Sequence, residues 1–416
     1  MAATLITGAN VWDGISDQPV PQQVLVVDGR IQHLGGAIEP PADAKLVDLS
    51  GHTLTPGFMD CHTHVTLAPP LGPMIALESS ITKTLKSLPV LRALLMNGFT
   101  TVRDLGCGDL DYPTIDLRNA VTAGIVVGPR MVVAPHMISA RGGHGDFSGM
   151  VADDYQGSSR PLELAAADGD DEIRTRVRQQ IRAGADWIKF AATGGFASPS
   201  DDPGHATYSQ DEMDVLVATA RDLEVPVTPH SYGDEGIRRA VRAGVRSIEH
   251  GNLASAQTLR MMQDAGVFIV PTQYTILSKA RCGDDDPVWA AFPEHTHRKM
   301  QKYRGALLDA AEGLAASDVR IAFGTDAGMF PHQDNWREFP MMVSTGITPL
   351  RALRAATSVA AELLRLDDLG VIAEGKIADL IAMPGDPFTD IDVTGQVDFV
   401  MKEGVIYKDP TKAGNA

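Results

Sequence analysis

Short apolar segments alternate with longer, helix-like segments through the middle of the chain. DEIRTRVRQQIRAG and SQDEMDVLVATARDLE are two of the longer segments, and the first ends at a glycine, a common helix stop. The apolar segments have the length of buried strands, and eight can be recognised: FMDCHTHV, TTVRDLG, RMVVAPHMI, DWIKFAATGG, PVTPHSYG, RSIEHG, VFIVPTQYT and IAFGTDAG. Eight strand–helix units over about 310 residues predict an α/β fold, a (β/α)8 TIM-type barrel that spans residues 56–367.

The two ends of the chain have a different pattern. QQVLVVDGRIQHLGG consists of two strand-like runs joined by Asp28-Gly29, which is a strong hairpin signal. ADLIAMPGD and VDFVMKEGVIYK repeat the pattern near the other end, with Glu403-Gly404 at a turn. We therefore expect residues 1–55 and 368–416 to pair into one small β domain beside the barrel.

Charge and composition narrow the range of partners. The chain of 416 residues carries a formal net charge of −17, which argues against nucleic acid or an anionic membrane as a general partner. No segment approaches the roughly 18–20 apolar residues that span a bilayer, and MAATLITGANVWDG lacks the basic region of a signal peptide. The three cysteines are widely spaced and fit reduced packing residues. These features favour a cytoplasmic location.

Residues that can bind metal occur at the ends of five predicted strands. In such barrels the C-terminal ends of the strands carry the chemistry. The His-Thr-His of strand one puts two imidazoles on the same side, because residues i and i+2 of a strand face the same way. A lone strand histidine is usually structural, but chance would scatter these residues over both ends of the barrel. We therefore predict a metal site formed by His62, His64, Lys189, His230, His250 and Asp326.

Lys189 lies in the middle of the apolar run ADWIKFAATGG, where a lysine is rarely buried without a partner. Burial lowers the pKa of an amine, and a neutral amine can add CO₂ to form a carbamate. Such an anion can bridge two divalent cations that lie about 3.5–4 Å apart. The alternative is a side chain that extends its ammonium out to the barrel mouth.

The order of these ligands resembles the amidohydrolase superfamily, and in particular its prolidase (Xaa-Pro dipeptidase) and ochratoxinase-like group. TPGFMDCHTH, GADWIKFAATGG, VTPHSYG, SIEHG and FGTDAG carry the resemblance, which covers essentially the whole chain. It implies a β-sandwich for the small domain and two Zn²⁺ ions bridged by carboxylated Lys189. It further implies that one ion is held by His62, His64 and Asp326, and the other by His230 and His250. Relatives are often octameric, so we expect a homo-oligomer.

Four loop residues are candidates for substrate binding. His144 lies in the glycine-rich SARGGHGD after strand three, and Tyr232 lies two residues beyond His230. The resemblance implies that His144 and Tyr232 contact the scissile carbonyl or a terminal carboxylate. Arg141 could bind a carboxylate in bidentate fashion, and His332 follows strand eight. For each of these residues a purely structural role in its loop is the alternative.

These ligands lead to a hydrolytic mechanism. Two metal ions that share a water would lower its pKa from about 15.7 to about 7 in the best zinc cases. Asp326 would take the remaining proton and pass it to the leaving amine, while His144 or Tyr232 assists at the carbonyl oxygen. The expected substrate is a small amide with a free carboxylate on the leaving side, such as a dipeptide or an N-acyl amino acid.

Other functions stay open at this stage. An ochratoxin A-type aryl amide is the main alternative substrate, and lactones are a further one. A mononuclear deaminase is disfavoured, because those enzymes carry a glutamate three residues after the strand-five histidine, where this chain has Gly233. A scaffold without activity is disfavoured because all six ligands are present.

Overall fold

The computed structural model describes residues 3–69, 78–109, 111–146 and 165–410, which adopt an α/β fold. The strands are β1 (Ala3–Thr7), β2 (Asn10–Val11), β3 (Val20–Pro21), β4 (Gln23–Val27), β5 (Arg30–Gly35), β6 (Lys45–Asp48), β7 (His52–Pro56), β8 (Phe58–Thr63), β9 (Phe99–Asp104), β10 (Arg130–Val133), β11 (Met137–Ile138), β12 (Ile188–Ala191), β13 (Val227–Gly233), β14 (Ser247–Leu253), β15 (Phe268–Val270), β16 (Leu380–Pro384), β17 (Phe399–Lys402) and β18 (Val405–Lys408). The helices are α1 (Ser80–Met96), α2 (Pro113–Thr122), α3 (Gly169–Ala183), α4 (Gln210–Arg221), α5 (Asp234–Ala243), α6 (Ala256–Asp264), α7 (Gln273–Ala280), α8 (Glu294–Ala315), α9 (Glu338–Ser344), α10 (Pro349–Ala355) and α11 (Ser358–Leu364). Short 3-10 helices lie at Pro287–Ala291, His332–Arg337 and Ile391–Gln396.

Helix α3 ends, and helix α4 begins, where the local sequence predicts. The first is followed by Gly184, whose φ of 105° is the left-handed conformation that terminates many helices. The second begins with a capping box, in which Ser209 and Glu212 each bond the other's backbone N–H. In the described segments, no helix is both long and apolar enough to cross a membrane.

The central strands form two parallel sheets with the orders β10-β9-β8 and β11-β12-β13-β14-β15. The segment IAFGTDAG, predicted as an eighth strand, makes isolated bridges with both sheets instead of a continuous ladder. Ile321 bridges Ile269 of β15, and Ala327 bridges Thr63 of β8, both in parallel orientation. The segment thus joins the edge strand of one sheet to the edge strand of the other.

Two backbone features explain the irregularity of this segment. A Cβ atom at Gly324 would lie 2.3 Å from Cγ1 of Val270 and 2.9 Å from Cβ of His62, so only glycine permits so close an approach to both strands. Asp326 has a φ of 63°, in the left-handed region. Left-handed backbone interrupts the extended conformation that a ladder needs, and it changes the direction of the chain at the strand end.

The N- and C-terminal segments pair with each other. They form sheets with the orders β5-β4-β1-β6 and β18-β17-β16-β7-β2-β3. The two predicted hairpins are present, and their turns have positive φ at both central residues: 49° and 82° at Asp28-Gly29, and 53° and 77° at Glu403-Gly404. One hydrophobic cluster contains buried side chains from both sheets, among them Ile6, Val24, Leu54, Leu380, Phe399 and Met401.

Candidate metal centre

His62, His64 and Asp326 form a first group of ligand-type side chains. The Asp326 N–H donates to the carbonyl of His62 at 2.7 Å, which ties the segment after α8 to the end of β8. Oδ1 of Asp326 lies 3.2 Å from Nε2 of His64 and 3.6 Å from Nε2 of His62. One ligand atom of each residue lies within 4.8 Å of the other two. Ligand atoms about 2 Å from one zinc ion are at most about 4 Å apart, so a small adjustment would let all three bind one ion.

His230 of β13 and His250 of β14 lie beside this group. The ring centroids of the two residues are 4.5 Å apart, and the ring of His250 is 4.9 Å from that of His62. Burial lowers the pKa values of His62, His230 and His250 well below the ordinary range of histidine. Neutral imidazoles are the form that binds metal. The structure therefore brings five of the six predicted ligands, all except Lys189, into one chain of close contacts.

Lys189 is the second residue of β12 and is 1% exposed. Its Nζ has no hydrogen-bond partner among the described residues. Burial, with a further contribution from Arg103, lowers the pKa of Lys189 to about 7, although the carboxylates of Glu249 and Asp326 favour the charged form. A buried amine without a hydrogen-bond partner costs free energy. The Nζ of Lys189 is therefore suited to bind a group that the polypeptide chain does not itself supply.

A buried ion pair supports His62. Oε2 of Glu249 lies 2.8 Å from Nδ1 of His62, and Oε1 accepts a hydrogen bond from Nη2 of Arg103 at 2.7 Å. A carboxylate on the second ring nitrogen sets the tautomer and the orientation of a metal-binding histidine. Sequence analysis missed both residues, although each is a charged residue inside an apolar strand, RSIEHG or TTVRDLG, which was a usable signal.

Two of the other three strand-end histidines, His64 and His250, are also held through Nδ1. Nδ1 of His64 donates to the carbonyl of Gly106 at 2.7 Å. Nδ1 of His250 lies 2.7 Å from Oγ1 of Thr272, whose φ of 45° is unusual for a β-branched residue. Backbone strain of this kind is concentrated at functional sites. Sequence analysis missed Thr272, because a hydroxyl residue after a strand has no distinctive pattern.

Asp60 links the backbone at the end of β8, which carries His62 and His64, to the backbone at Thr325, which precedes Asp326. The fully buried carboxylate accepts hydrogen bonds from Oγ1 of Thr325 at 2.7 Å and from the N–H groups of Thr325 and His62, both at 3.1 Å. Burial raises the pKa of Asp60 to about 7 in spite of these bonds. The residue orients the ligands by holding β8 against the Thr325 backbone, and sequence analysis missed this contact as well.

His144 and Tyr232 contact the metal centre through their rings. The ring of His144 stacks on that of His230 at 4.1 Å, and its Nδ1 lies 2.8 Å from Oγ of Ser198. The ring of Tyr232 stacks on that of His250 at 4.8 Å. Burial, with Asp326 nearby, raises the pKa of Tyr232 well above its ordinary value, so its hydroxyl stays protonated and can donate a hydrogen bond.

Arg141 and His332 have other partners. Nη1 of Arg141 forms ion pairs with Asp168 at 2.7 Å and with Glu172 at 2.8 Å, and the side chain is 44% exposed. Arg141 is therefore paired with two carboxylates at the start of α3. Nε2 of His332 lies 3.1 Å from the carbonyl of His64, and burial lowers the pKa of His332 to about 4. His332 therefore contacts the backbone of a predicted ligand.

Comparisons with known proteins agree with this arrangement. A model of the amidohydrolase family matches residues 53–407. Ochratoxinase from Aspergillus niger is 30% identical over 428 residues, which covers 94% of this chain and 84% of that protein. The crystal structure of a Xaa-Pro dipeptidase with bound methionine in the active site is 34% identical, with a TM-score of 0.89, and covers 98% of this chain and 100% of that one. The structure of A. niger ochratoxinase has a TM-score of 0.84 at 28% identity, with 98% and 96% coverage.

Proposed function

Since this chain belongs to the amidohydrolase family and is a hydrolase of carbon–nitrogen bonds, we propose that it is a binuclear zinc-dependent amide hydrolase. Its substrates are dipeptides or N-acyl amino acids that carry a free carboxylate on the leaving side. The proposal rests on the successive contacts between the four histidine rings and Asp326. It also rests on the buried Nζ of Lys189, which has no hydrogen-bond partner among the described residues.

The side chains fit two metal ions. Nitrogen and carboxylate ligands suit Zn²⁺, and the buried Nζ of Lys189, which lacks a hydrogen bond, suits carboxylation to a bridging carbamate. One ion would be held by His62, His64 and Asp326, and the other by His230 and His250, with carboxylated Lys189 between them. Hydrogen bonds to Nδ1 of His62, His64 and His250 leave Nε2 of each ring as the ligand atom.

The residues of the chain have separate tasks in hydrolysis. Bound metal ions supply Lewis acidity at the scissile carbonyl and lower the pKa of the attacking water. Asp326 accepts a proton from that water and delivers it to the leaving nitrogen. The Tyr232 hydroxyl donates a hydrogen bond to the carbonyl oxygen as negative charge develops there, or binds the substrate carboxylate. His144, which is fixed by Ser198, is the second group suited to these contacts.

An aryl amide of the ochratoxin A type is the second candidate substrate. The 30% identity with A. niger ochratoxinase over 94% of this chain favours it. Both candidates have an amide bond next to a free carboxylate, so one site can serve either. A deaminase is disfavoured by Gly233: a Cβ atom there would lie 2.8 Å from the carbonyl oxygen of Gly204, so the glutamate of such enzymes has no room at this position.

We also propose the finer organisation of the fold. The bridges of the segment 320–327, together with a hydrogen bond of 2.8 Å from the N–H of Asp186 to the carbonyl of Val133, support a closed (β/α)8 barrel over residues 56–367. The shared hydrophobic cluster of the terminal sheets supports a β-sandwich of residues 1–55 and 368–416. We further propose that the protein is cytoplasmic and forms a homo-oligomer, with an octamer as the expected assembly. Light scattering after gel filtration would measure the number of subunits.

A hydrolysis screen tests the proposed function. Zinc-loaded protein is incubated with Xaa-Pro, Xaa-Phe and Xaa-Lys dipeptides, N-acyl amino acids and ochratoxin A, and products are identified by mass spectrometry. Dipeptide cleavage with a kcat/KM of about 10⁴ M⁻¹s⁻¹ or more would support the peptidase proposal. Fast ochratoxin A cleavage with slow dipeptide turnover would favour the second candidate. Zinc-loaded protein that cleaves none of these amides would contradict both.

A further inference from the structure

Helix α7 is attached to the metal centre at its first turn. The helix directly follows Thr272, whose hydroxyl lies 2.7 Å from Nδ1 of His250. Within the first turn, Oγ1 of Thr275 donates to the carbonyl of Thr325 at 2.8 Å, one residue before Asp326. A side chain on the same face of α7 as Thr275, if it extends toward the helix N-terminus, therefore lies near the centre.

Lys279 extends in this direction. Its Nζ donates to the carbonyl of Thr275 at 2.6 Å, so the side chain folds back along the helix toward the first turn, as long helical side chains do. The same nitrogen lies 5.2 Å from the ring centroid of Phe292. Phe292 packs against the hydrophobic cluster that contains Tyr232, and Tyr232 stacks on His250. The bond to the Thr275 carbonyl and the packing of Phe292 in the cluster of Tyr232 thus both place Lys279 on the side of α7 that faces the metal centre.

The ammonium of Lys279 has spare hydrogen-bonding capacity. It has three N–H donors, of which the carbonyl of Thr275 uses one. The side chain is partly buried and forms no ion pair with a carboxylate in the part of the chain that the structure describes. Burial lowers the pKa of Lys279, while Asp326 and Cys282 favour the charged form. A cation that is partly removed from water without a counter-ion marks a place where an anion can bind.

We propose that Lys279 binds the free carboxylate on the leaving side of the substrate and so determines its substrate class. The inference rests on the function proposed above, in which that carboxylate is next to the scissile amide. In an α-amino acid leaving group the carboxylate carbon is three bonds from the carbonyl carbon, roughly 3–4 Å away, so its partner must lie beside the centre. Lys279 is directed toward the turn of α7 that contacts Thr325, the residue before Asp326. The guanidinium of Arg141, in contrast, is already paired with Asp168 and Glu172.

Binding measurements test the role of Lys279 without hydrolysis. The probes are L-methionine and L-methioninamide, which differ in the carboxylate, and they are titrated into zinc-loaded protein by calorimetry. Lys279→Met removes the charge, and Lys279→Gln removes it while keeping a donor for Thr275. We expect wild type to prefer methionine, and both variants to bind methionine about 10- to 100-fold more weakly, with methioninamide affinity within about 2-fold. Lys279→Arg should retain part of the preference.

A control variant and a folding measurement accompany these titrations. Lys45→Met removes a lysine of β6 that is paired with Asp409, the residue after β18, and it should bind both probes as wild type does. Melting curves by circular dichroism establish that each variant is folded. Wild type without a preference for methionine, or Lys279 variants with unchanged methionine affinity, would overturn the inference.

Kinetics separate this inference from the proposed function. The kcat/KM for one dipeptide is compared with that for its C-terminal amide, which has the same scissile bond. We expect the preference for the free acid to fall about 10- to 100-fold in the Lys279 variants. Hydrolysis with an unchanged preference would overturn the role of Lys279 and leave the hydrolytic function intact. Lys279-dependent methionine binding without hydrolysis of any amide would overturn the hydrolytic function and retain Lys279 as a carboxylate-binding residue.

Discussion

Glu249 holds His62 across 187 residues of chain: its Oε2 lies 2.8 Å from Nδ1 of His62, and neither side chain is more than 1% exposed. The same carboxylate is the partner of Arg103, which is also fully buried. The orientation of His62 therefore depends on the carboxylate of Glu249, which must itself remain paired with Arg103.

Loss of the charge on Glu249 should affect both metal binding and folding. Glu249→Gln leaves Arg103 buried without a counter-ion, which typically costs about 3–5 kcal/mol, and it removes the carboxylate that orients His62. We expect zinc affinity to fall about 10- to 100-fold. Urea unfolding and competition with a chromophoric chelator measure the two effects. Glu235→Gln, at an exposed residue paired with Arg239, is the control, and equal behaviour of the two variants would contradict the prediction.

Removal of the Thr272 hydroxyl should weaken metal binding with little effect on stability. Thr272→Val keeps the β-branched shape but leaves Nδ1 of His250 without its partner. We expect zinc affinity to fall about 10-fold or more and the free energy of unfolding to fall by about 1 kcal/mol. Chelator competition and urea unfolding are the measurements. Thr122→Val removes an exposed helical hydroxyl as the control, and a zinc affinity as high as in that control would argue against an orienting role.

Asp326 should be required for turnover more than for structure. Asp326→Asn keeps the size of the side chain but removes the base that moves the proton, so we expect a folded, zinc-binding protein whose kcat is lower by about 10²-fold or more. Metal analysis and steady-state kinetics on the best amide of the screen test this. Asp367→Asn, an exposed change, should leave kcat unaltered. A near-normal kcat in Asp326→Asn would refute the assignment.

A methyl group at Gly324 should disturb the contact between the 320–327 segment and β8. Gly324→Ala places a Cβ atom 2.3 Å from Val270 and 2.9 Å from His62. We expect a loss of about 1–3 kcal/mol in the free energy of unfolding, together with weaker zinc binding because His62 is displaced. The matched control is Gly305→Ala in α8, where a Cβ atom meets nothing within 4 Å. That control should stabilise the protein by about 0.5–1 kcal/mol. Equal stabilities would contradict the steric argument.

Asp202 should contribute a pH-dependent increment of stability. Burial works to raise the pKa of Asp202, but hydrogen bonds from Lys302 and Tyr303 outweigh it and lower that pKa from 3.8 to about 2. A pKa that is lower in the folded state gives stability that is present above pH 3.8 and is lost as pH falls toward 2. Because Asp202 and Lys302 are partly exposed, we expect a contribution of about 1 kcal/mol to the free energy of unfolding at neutral pH.

Urea unfolding of wild type and Asp202→Asn at several pH values measures this increment. The difference between the two proteins should be largest at neutral pH and should disappear near pH 2. Asp367→Asn again serves as the exposed control. A difference that does not change with pH would mean that the carboxylate charge plays no part in the stabilisation.

The local sequence pattern was sufficient to predict those elements that are stabilised by residues close together in the chain. The cap at Ser209, the stop at Gly184 and the turn at Asp28-Gly29 each involve residues only a few positions apart, and all were predictable. The conformation of the segment IAFGTDAG could not be predicted from its local sequence pattern. Its isolated bridges depend on how closely Gly324 approaches β8 and β15, which no local rule contains.

The sequence by itself determined the candidate ligands, because the C-terminal ends of parallel strands lie at one edge and the polar residues of five apolar segments fall there. Only the tertiary structure decided which groups orient them. Glu249 meets His62, Thr272 meets His250, and Asp60 meets Thr325 across 187, 22 and 265 residues of chain. Such contacts depend on the register between strands and on backbone conformation at the strand ends. Spacing along the chain reveals which residues can act, whereas packing determines which of them touch.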